Sequence, residues 1–299
     1  MNSHDNNSIN KNKDFSDRLA FVDFKLRFTG FISRLDLKEA FGIAEAAASR
    51  VLTEYNEKKT HNKTPKTNII IRDTFSPLID IDGETALGML ANGFNKNKLT
   101  KDNLITYEKI GLIPNQLKIE EVAKITRAIN GGYAITCKYL SHNSKNHQRR
   151  TLLPLAIMHD GTQWMFRAFY RGENTFKIYN FSRATEVIEK YEDKEFKRQP
   201  KEELTQDEKW NLRLPLILKP HSDLGDEDRS EIKIDFGISN ETNELVITVR
   251  EPFLWLLKQK WYIDDRSKEI KKRDQENNIS KYYKFEIVNK EMLDKLSKP

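Results

Sequence analysis

The residues of this chain placed to do chemistry are basic, aromatic and hydroxyl side chains. Tyr139, Ser141, Arg150, Trp164, Arg167 and Arg183 fall on or beside short alternating runs. Arginine grips phosphate through two parallel hydrogen bonds, hydroxyls add single bonds, and an aromatic face stacks on a base. Strand parity divides the set. Trp164, Phe166 and Ala168 share one face, and Met165, Arg167 and Phe169 the other. Trp164 is therefore expected in a core, and Arg167 in a pocket beside Arg150 and Arg183. A second group lies nearer the start: Arg34, Ser49, Arg50, Thr53, Lys63 and Lys66. Arginine suits a two-bond contact to guanine and serine is permissive. For Arg50 the competing expectation is an internal ion pair with Asp36 or Glu54.

Enzyme chemistry finds little support. His142 and His147 are five apart, without paired carboxylates or an HExxH motif. Ser141 and His142 are adjacent, and neighbours on a strand point to opposite faces, so they do not begin a triad. There is no Walker loop or GxGxxG motif. Neither a catalytic residue, a metal site nor a cofactor is expected. The single cysteine, Cys137, excludes an internal disulfide and a multi-cysteine zinc site.

The 299 residues carry 51 Lys+Arg against 45 Asp+Glu, a formal charge of +6. The length points to two domains, or three small ones. Hydrophobic residues are only 37%, yet 16 Phe, 10 Tyr and 4 Trp suffice for several small cores. No run approaches the ~18 apolar residues of a membrane span, and the Asn/Lys-rich start lacks the apolar core of a secretory signal. A cytoplasmic location is expected, with no membrane partner. Distribution says more than net charge. Residues 122–159 contain no Asp or Glu and carry Lys124, Arg127, Lys138, Lys145, Arg149 and Arg150. A basic field this long implies an anionic partner, most commonly nucleic acid, against the alternative of a solvated face.

The elements that must position these residues follow from periodicity. Residues 1–14 read as a disordered polar arm. Residues 15–32 are helical by spacing, with Gly30 a weak point, and 35–41 form a short helix capped by Ser33 or Asp36. Gly42 breaks the chain, and the alanine-rich segment 44–55 is a strong helix. Residues 56–67 are polar and basic around Pro65, and 68–72 read as a β segment. Two helices, a Gly turn, a small-residue helix and a basic hairpin are the shape of a winged helix-turn-helix; an ordinary three-helix unit is the alternative. Residues 84–94 and 119–130 read as helices of a connector. The period then becomes two, with strands at 133–140, 151–158, 164–170 and 175–181, which make a small barrel or a curled sheet. Further on, 212–218 alternates, with Pro215 marking an edge strand. Residues 232–236 and 245–249 are expected to pair as strands, Pro252 to open a helix running to Trp261, and 267–280 to loop. A last strand at 283–288 and a short helix at 290–296 complete a mixed α+β module in which Trp255 and Trp261 serve a core or an interface.

Arg18-Leu19-Ala20-Phe21-Val22-Asp23-Phe24, Arg34-Leu35-Asp36-Leu37, Phe41-Gly42-Ile43 and Ala48-Ser49-Arg50-Val51-Leu52 resemble the winged helix-turn-helix of WYL-domain transcription regulators. Arg150, Leu153-Pro154-Leu155, the run Asp160-Gly161-Thr162-Gln163-Trp164-Met165-Phe166-Arg167-Ala168-Phe169, and Phe181-Ser182-Arg183 follow the order of the WYL domain itself. Lys219-Pro220-His221, Ile234-Asp235-Phe236-Gly237 and Val249-Arg250 are similar to the C-terminal extension of these regulators, including those controlling BREX and CBASS phage-defence operons. The resemblance covers residues 15–264. The eponymous Trp-Tyr-Leu reads Trp164-Met165-Phe166, so no contact from that tyrosine is carried over.

The resemblance implies an α+β multidomain chain: a winged helix-turn-helix (15–74), a helical connector (75–130), a WYL domain folded as a small Sm/SH3-like β-barrel (131–195), and an α+β dimerisation extension (204–299). It implies a homodimeric repressor binding double-stranded operator DNA, with a nucleic-acid or nucleotide-like effector at Tyr139, Ser141, Arg150, Arg167 and Arg183. The DNA contacts are expected from Arg34, Ser49, Arg50, Thr53, Lys63 and Lys66. A nucleic-acid-sensing adaptor without operator binding is the alternative.

Overall fold

The computed structural model describes residues 3–99, 116–141 and 149–296. It is a mixed α+β structure with two compact units, residues 1–202 and 203–299. In the first, α1 (Ser3–Thr29) takes in most of the segment expected as a disordered arm, and α2 (Arg34–Phe41) and α3 (Glu45–Lys58) follow. Local chemistry sets these boundaries. Ser33 and Asp36 cap α2 reciprocally: Ser33 N donates to Asp36 Oδ2 at 2.7 Å, and Asp36 N donates to Ser33 Oγ at 3.1 Å. Gly42 ends α2 at φ 62°, a left-handed conformation that glycine adopts without steric penalty. Ala48, Val51, Leu52 and Tyr55 of α3 then bury against Leu19, Val22 and Leu26 of α1 and Leu37 of α2.

A short hairpin over residues 62–71 leans on the end of α1. Ile71 N donates to Asn62 O at 2.9 Å and Thr64 N to Ile69 O at 2.8 Å. The outer limb is tied back by Ile70 N to Gly30 O at 2.8 Å and by the bridge between Phe31 and Ile69.

The rest of this unit packs α4 (Gly83–Asn92) and α5 (Ile119–Gly131) against an antiparallel sheet. Its strands are β1 (Ile135–Tyr139), β2 (Arg149–His159), β3 (Trp164–Tyr170), β4 (Thr175–Asn180) and β5 (Ala184–Glu189), in the order β4-β3-β2-β1-β5. Among the described residues no pairing joins β4 to β5, so the sheet is open. The strand β5 was not anticipated. Trp164, Phe166 and Ala168 all enter the core together with Phe24 and Phe28 of α1, Leu87 of α4 and Ile125 of α5. α1 therefore serves two cores, one with α2–α3 and one with the sheet, so it joins the hairpin region to the strands.

In the second unit, α6 (Glu208–Asn211), β6 (Arg213–Pro220), α7 (Asp226–Asp235), β7 (Leu245–Arg250), α8 (Glu251–Lys260), β8 (Ile263–Asp264), α9 (Lys268–Glu276), β9 (Phe285–Ile287) and α10 (Lys290–Leu296) surround one apolar core. The sheet order is β7-β6-β9-β8. Three expectations change here. Residues 232–235 are the end of α7, so β7 pairs with β6 instead. The apparent alternation of Ile232, Ile234 and Phe236 is a helix face plus an outlier: Ile232 is buried, whereas Ile234 is 80% exposed. Three acidic residues, Asp226, Glu227 and Asp228, begin that helix, where its dipole favours them. The expected loop 267–280 contains α9, with Ser267 accepting from Ile270 N at 3.3 Å. Pro215 lies on an inner strand, but β9 pairs only with Leu218, Lys219 and Pro220, so no strand asks Pro215 for the N–H it lacks.

Candidate nucleic-acid interface

Burial on one side of α3 leaves Ala46, Arg50, Thr53 and Glu57 exposed along the other, at spacings of four, three and four residues. Arg50 has no ion pair or hydrogen bond to its side chain among the described residues. Its two anticipated internal partners are engaged elsewhere: Asp36 with Lys25 at 3.0 Å and Glu54 with Lys58 at 3.6 Å. Ser49 is half-buried, and Thr53 Oγ1 donates back to its carbonyl at 3.1 Å. Arg34 opens α2 and reaches the start of α3 through Glu45 at 3.1 Å, with both side chains more than half exposed. Such an exposed pair is worth at most about 1 kcal/mol and yields easily to a phosphate.

Around the hairpin the lysines divide. Lys66 is exposed at the tip, without a partner among the described residues. Lys63, expected beside it, is only 3% exposed, and its Nζ donates to Asn68 Oδ1 at 2.9 Å. Burial lowers its pKa. Lys63 holds the turn, since Asn68 takes a left-handed φ of 50° there.

One buried polar cluster locks hairpin, α1 and α3 together. Tyr55 Oη donates to Asp23 Oδ1 at 2.5 Å and accepts from Asn62 Nδ2 at 2.8 Å. Leu78 N and Ile79 N donate to the other Asp23 oxygen at 2.9 and 3.2 Å. Burial raises the Asp23 carboxyl against these bonds, and burial with the Asp23 charge pushes the Tyr55 hydroxyl well up.

Among the described residues, the expected effector residues lie at different places on the sheet. Arg150 lies 5.4 Å from the Tyr139 ring centroid and 5.6 Å from that of Tyr170. Tyr139 is buried, and its hydroxyl accepts from Asn180 N at 3.0 Å. Arg167 is on the face opposite Trp164, as parity requires, but that face is covered too and Arg167 is 4% exposed. Ser141 and Arg183 are half-buried beyond β1 and before β5. Lys145, His142 and His147 lie outside the described residues. The open cavity on this sheet, of about 430 Å³, is lined by Arg149, Arg150, Thr151, Tyr170, Arg171 and Phe196 among others. Arg150 alone of the expected set lines it. Arg171 is fixed there by a two-bond pair with buried Glu202 at 2.7 and 2.9 Å. Arg149 pairs with Glu186 at 2.9 Å.

A buried ionic hub joins the sheet to the helices. Glu189, at the end of β5, accepts from Arg127 Nε and Nη2 at 3.0 and 2.5 Å, from Tyr133 Oη at 2.6 Å and from Arg72 Nε at 3.3 Å. Burial raises its carboxyl, but the contacts from Arg127, Tyr133 and Arg72 together outweigh that and hold it below the usual carboxylate range. Arg127 Nη1 also donates to the Arg27 carbonyl on α1 at 2.7 Å. Arg72 follows the hairpin directly and stacks 3.7 Å from the Tyr191 centroid.

Residue reading did not find this hub, because its members lie 56 to 117 positions apart. The acid-free run is largely neutralised by it and its neighbours. Arg127 pairs with Glu189, Lys124 with Glu121, and Lys138 and Arg149 with Glu186. Among the described residues no group of three His, Cys, Asp or Glu side chains could hold a metal ion, and no helix is long and apolar enough to cross a membrane.

Comparison with known proteins places two stretches. Residues 120–188 match the WYL domain, and residues 213–280 match the C-terminal dimerization domain of the BrxR transcriptional regulator. The chain is 28% identical over 239 residues to the DNA-binding transcriptional repressor CapW of Stenotrophomonas maltophilia, covering 76% of this chain and 77% of that one. It is 25% identical over 248 residues to CapW of Pseudomonas aeruginosa, covering 80% of each. The proteasome accessory factor PafBC of Arthrobacter aurescens is 14% identical and covers 78% of this chain and 42% of that one, at a TM-score of 0.27 too low to bear on the fold.

Proposed function

On the premise that the chain joins a WYL domain to a BrxR-type C-terminal dimerization domain, we propose that it is a DNA-binding transcriptional repressor. It acts in the cytoplasm as a homodimer on the operator of a phage-defence operon. Residues 15–74 form a winged helix-turn-helix, with α2 and α3 as the motif and the 62–71 hairpin as the wing. The observation that carries this reading is the open face of α3. The side chain of Arg50 is exposed there with no partner among the described residues, flanked by Thr53 and Ser49. Laid in a major groove, Arg50 reads guanine through two hydrogen bonds, a contact worth about 1–3 kcal/mol of discrimination. Arg34 at the start of α2 and Lys66 on the wing meet phosphate. Lys63 supports the wing from inside.

The cavity beside Arg150, with its arginines and Tyr170, suits a nucleic-acid or nucleotide-like effector. β5 pairs with β1, and β1 pairs with the Arg150 end of β2. A ligand that alters these strands acts on Glu189, and through Arg72 and Arg127 on the wing and α1. Coupling of this kind needs a differential affinity for two states of about 1–3 kcal/mol.

Footprinting on the DNA upstream of the gene tests the proposal, with wild type and Arg50→Ala, and again with short single-stranded oligonucleotides added. The expected result is a protected, two-fold-related pair of half-sites that weakens for Arg50→Ala and responds to oligonucleotide in wild type but not in Arg150→Ala. Oligonucleotide binding by the full chain, with no footprint from it on the upstream DNA, would instead identify an adaptor.

A further inference from the structure

The second unit leaves one long strand edge uncovered. β7 pairs with β6 through six consecutive residues, from Arg213↔Arg250 to Leu218↔Leu245, without a bulge, and has no second partner among the described residues. The direction of its free backbone groups can be read from β6. Ile217 N donates to Asn289 Oδ1 at 3.0 Å, and Ile217 O accepts from Val288 N at 2.8 Å. Pro215 O accepts from Asn289 Nδ2 at 2.7 Å. Both residues thus turn their backbone away from β7. Their opposite numbers, Val246 and Thr248, must do the same in an antiparallel ladder. Two N–H and two C=O groups therefore line the free edge, alongside Val246, whose side chain is 63% exposed. No lysine, proline or bulge guards residues 245–249, the usual protections of an edge not meant to pair.

We propose that two copies of the chain join through this edge, β7 against β7 in antiparallel register about a two-fold axis at Ile247. This deepens the reading of residues 213–280 as a dimerization domain and rests on it. The register follows from the outward groups. Val246 faces Thr248 of the second copy and Thr248 faces its Val246, each a hydrogen-bonded pair, so four backbone bonds form. The same register sets Glu244, just before the strand, opposite Arg250 at its end, whose guanidinium also donates to Trp210 O and lies 4.9 Å from the Trp210 ring centroid. A strand that carries its own opposite charge at matching distance from its centre is fitted to a second copy of itself.

The test is the mass of the full chain in solution, measured by sedimentation without DNA, so its result is independent of operator binding. Wild type is expected at twice the chain mass. Thr248→Pro removes an N–H that β6 does not use, in a position proline tolerates on an edge. It is expected to halve the mass while keeping the far-ultraviolet dichroism. Ile247→Cys is expected to form an intermolecular disulfide on mild oxidation, because opposed residues at a non-hydrogen-bonded position lie about 4.5 Å apart at Cα, within disulfide reach. A monomeric wild type, as for an edge reserved for a strand of another protein, would overturn the proposal. So would a folded Thr248→Pro chain that stays dimeric. If Thr248→Pro fails to fold, the cross-link decides, and its absence overturns the proposal.

Discussion

Replacing Glu189 should cost more than any other single change between the hairpin and the sheet. Its side chain is 7% exposed and serves two arginines and a tyrosine hydroxyl. Glu189→Ala leaves Arg127, itself 8% exposed, buried without its counter-charge. Breaking such a pair from one side costs about 3–5 kcal/mol. Glu189→Gln keeps the shape and one acceptor but loses the charge assistance, worth about 1.5–3 kcal/mol. The assay is native-state hydrogen exchange, which reads each unit separately. Amides of α5 and β5 should exchange about 10²- to 10⁴-fold faster in Glu189→Ala, at roughly 1.4 kcal/mol per tenfold. Amides of β6, β7 and β9, in the other unit, should not change. A shift below about 1 kcal/mol in α5 and β5 would mean that water screens the hub, and the proposed route from strand to wing would lose its basis.

Tyr55→Phe should destabilise the three-helix region by about 1–3 kcal/mol, since it strips a buried partner from both Asp23 and Asn62; thermal melting checks it, and an unchanged melt would show that the cluster is not needed. Cys137 is buried, and burial pushes its thiol up to about 12. Alkylation of the native chain should therefore be slow and accelerate on unfolding; rapid native labelling would contradict this. Asp264, held by Arg266, His221 and Lys271, has a carboxyl far below the ordinary value of 3.8. The stability it contributes is complete above that ordinary value and is lost as pH falls below it, so unfolding of residues 203–299 should steepen below about pH 4, and the steepening should be absent in Asp264→Asn.

The parts of the fold legible from residues alone were those with local causes. Ser33, Asp36 and Gly42 delimit α2 whatever surrounds them, and the alanines after Gly42 make a helix by propensity. The exposure of Arg50, Thr53 and Lys66 was reachable for the same reason, being set by helix phase and a loop tip. Lys63 was not, because its burial depends on the fold of the turn around Asn68. Charge was the more misleading signal. Residues 122–159 look like a basic surface because their counter-ions, Glu186 and Glu189, lie further along the chain on β5. That strand hid in turn, since Ala184–Glu189 carries its apolar residues between charged ones. α7 reads as a strand because Ile232 and Phe236 fit both periods, and only burial marks Ile234 as the outlier.

The most direct test of the central claim is the salt dependence of binding to the upstream duplex. With Arg34 and Lys66 each meeting one phosphate in two copies, log K against log salt should fall with a slope of about −4. Arg50→Ala should keep most of that slope while losing about 1–3 kcal/mol of preference for the operator over random DNA. A slope near zero, or equal preference in wild type and Arg50→Ala, would mean that the open face of α3 does not lie against DNA.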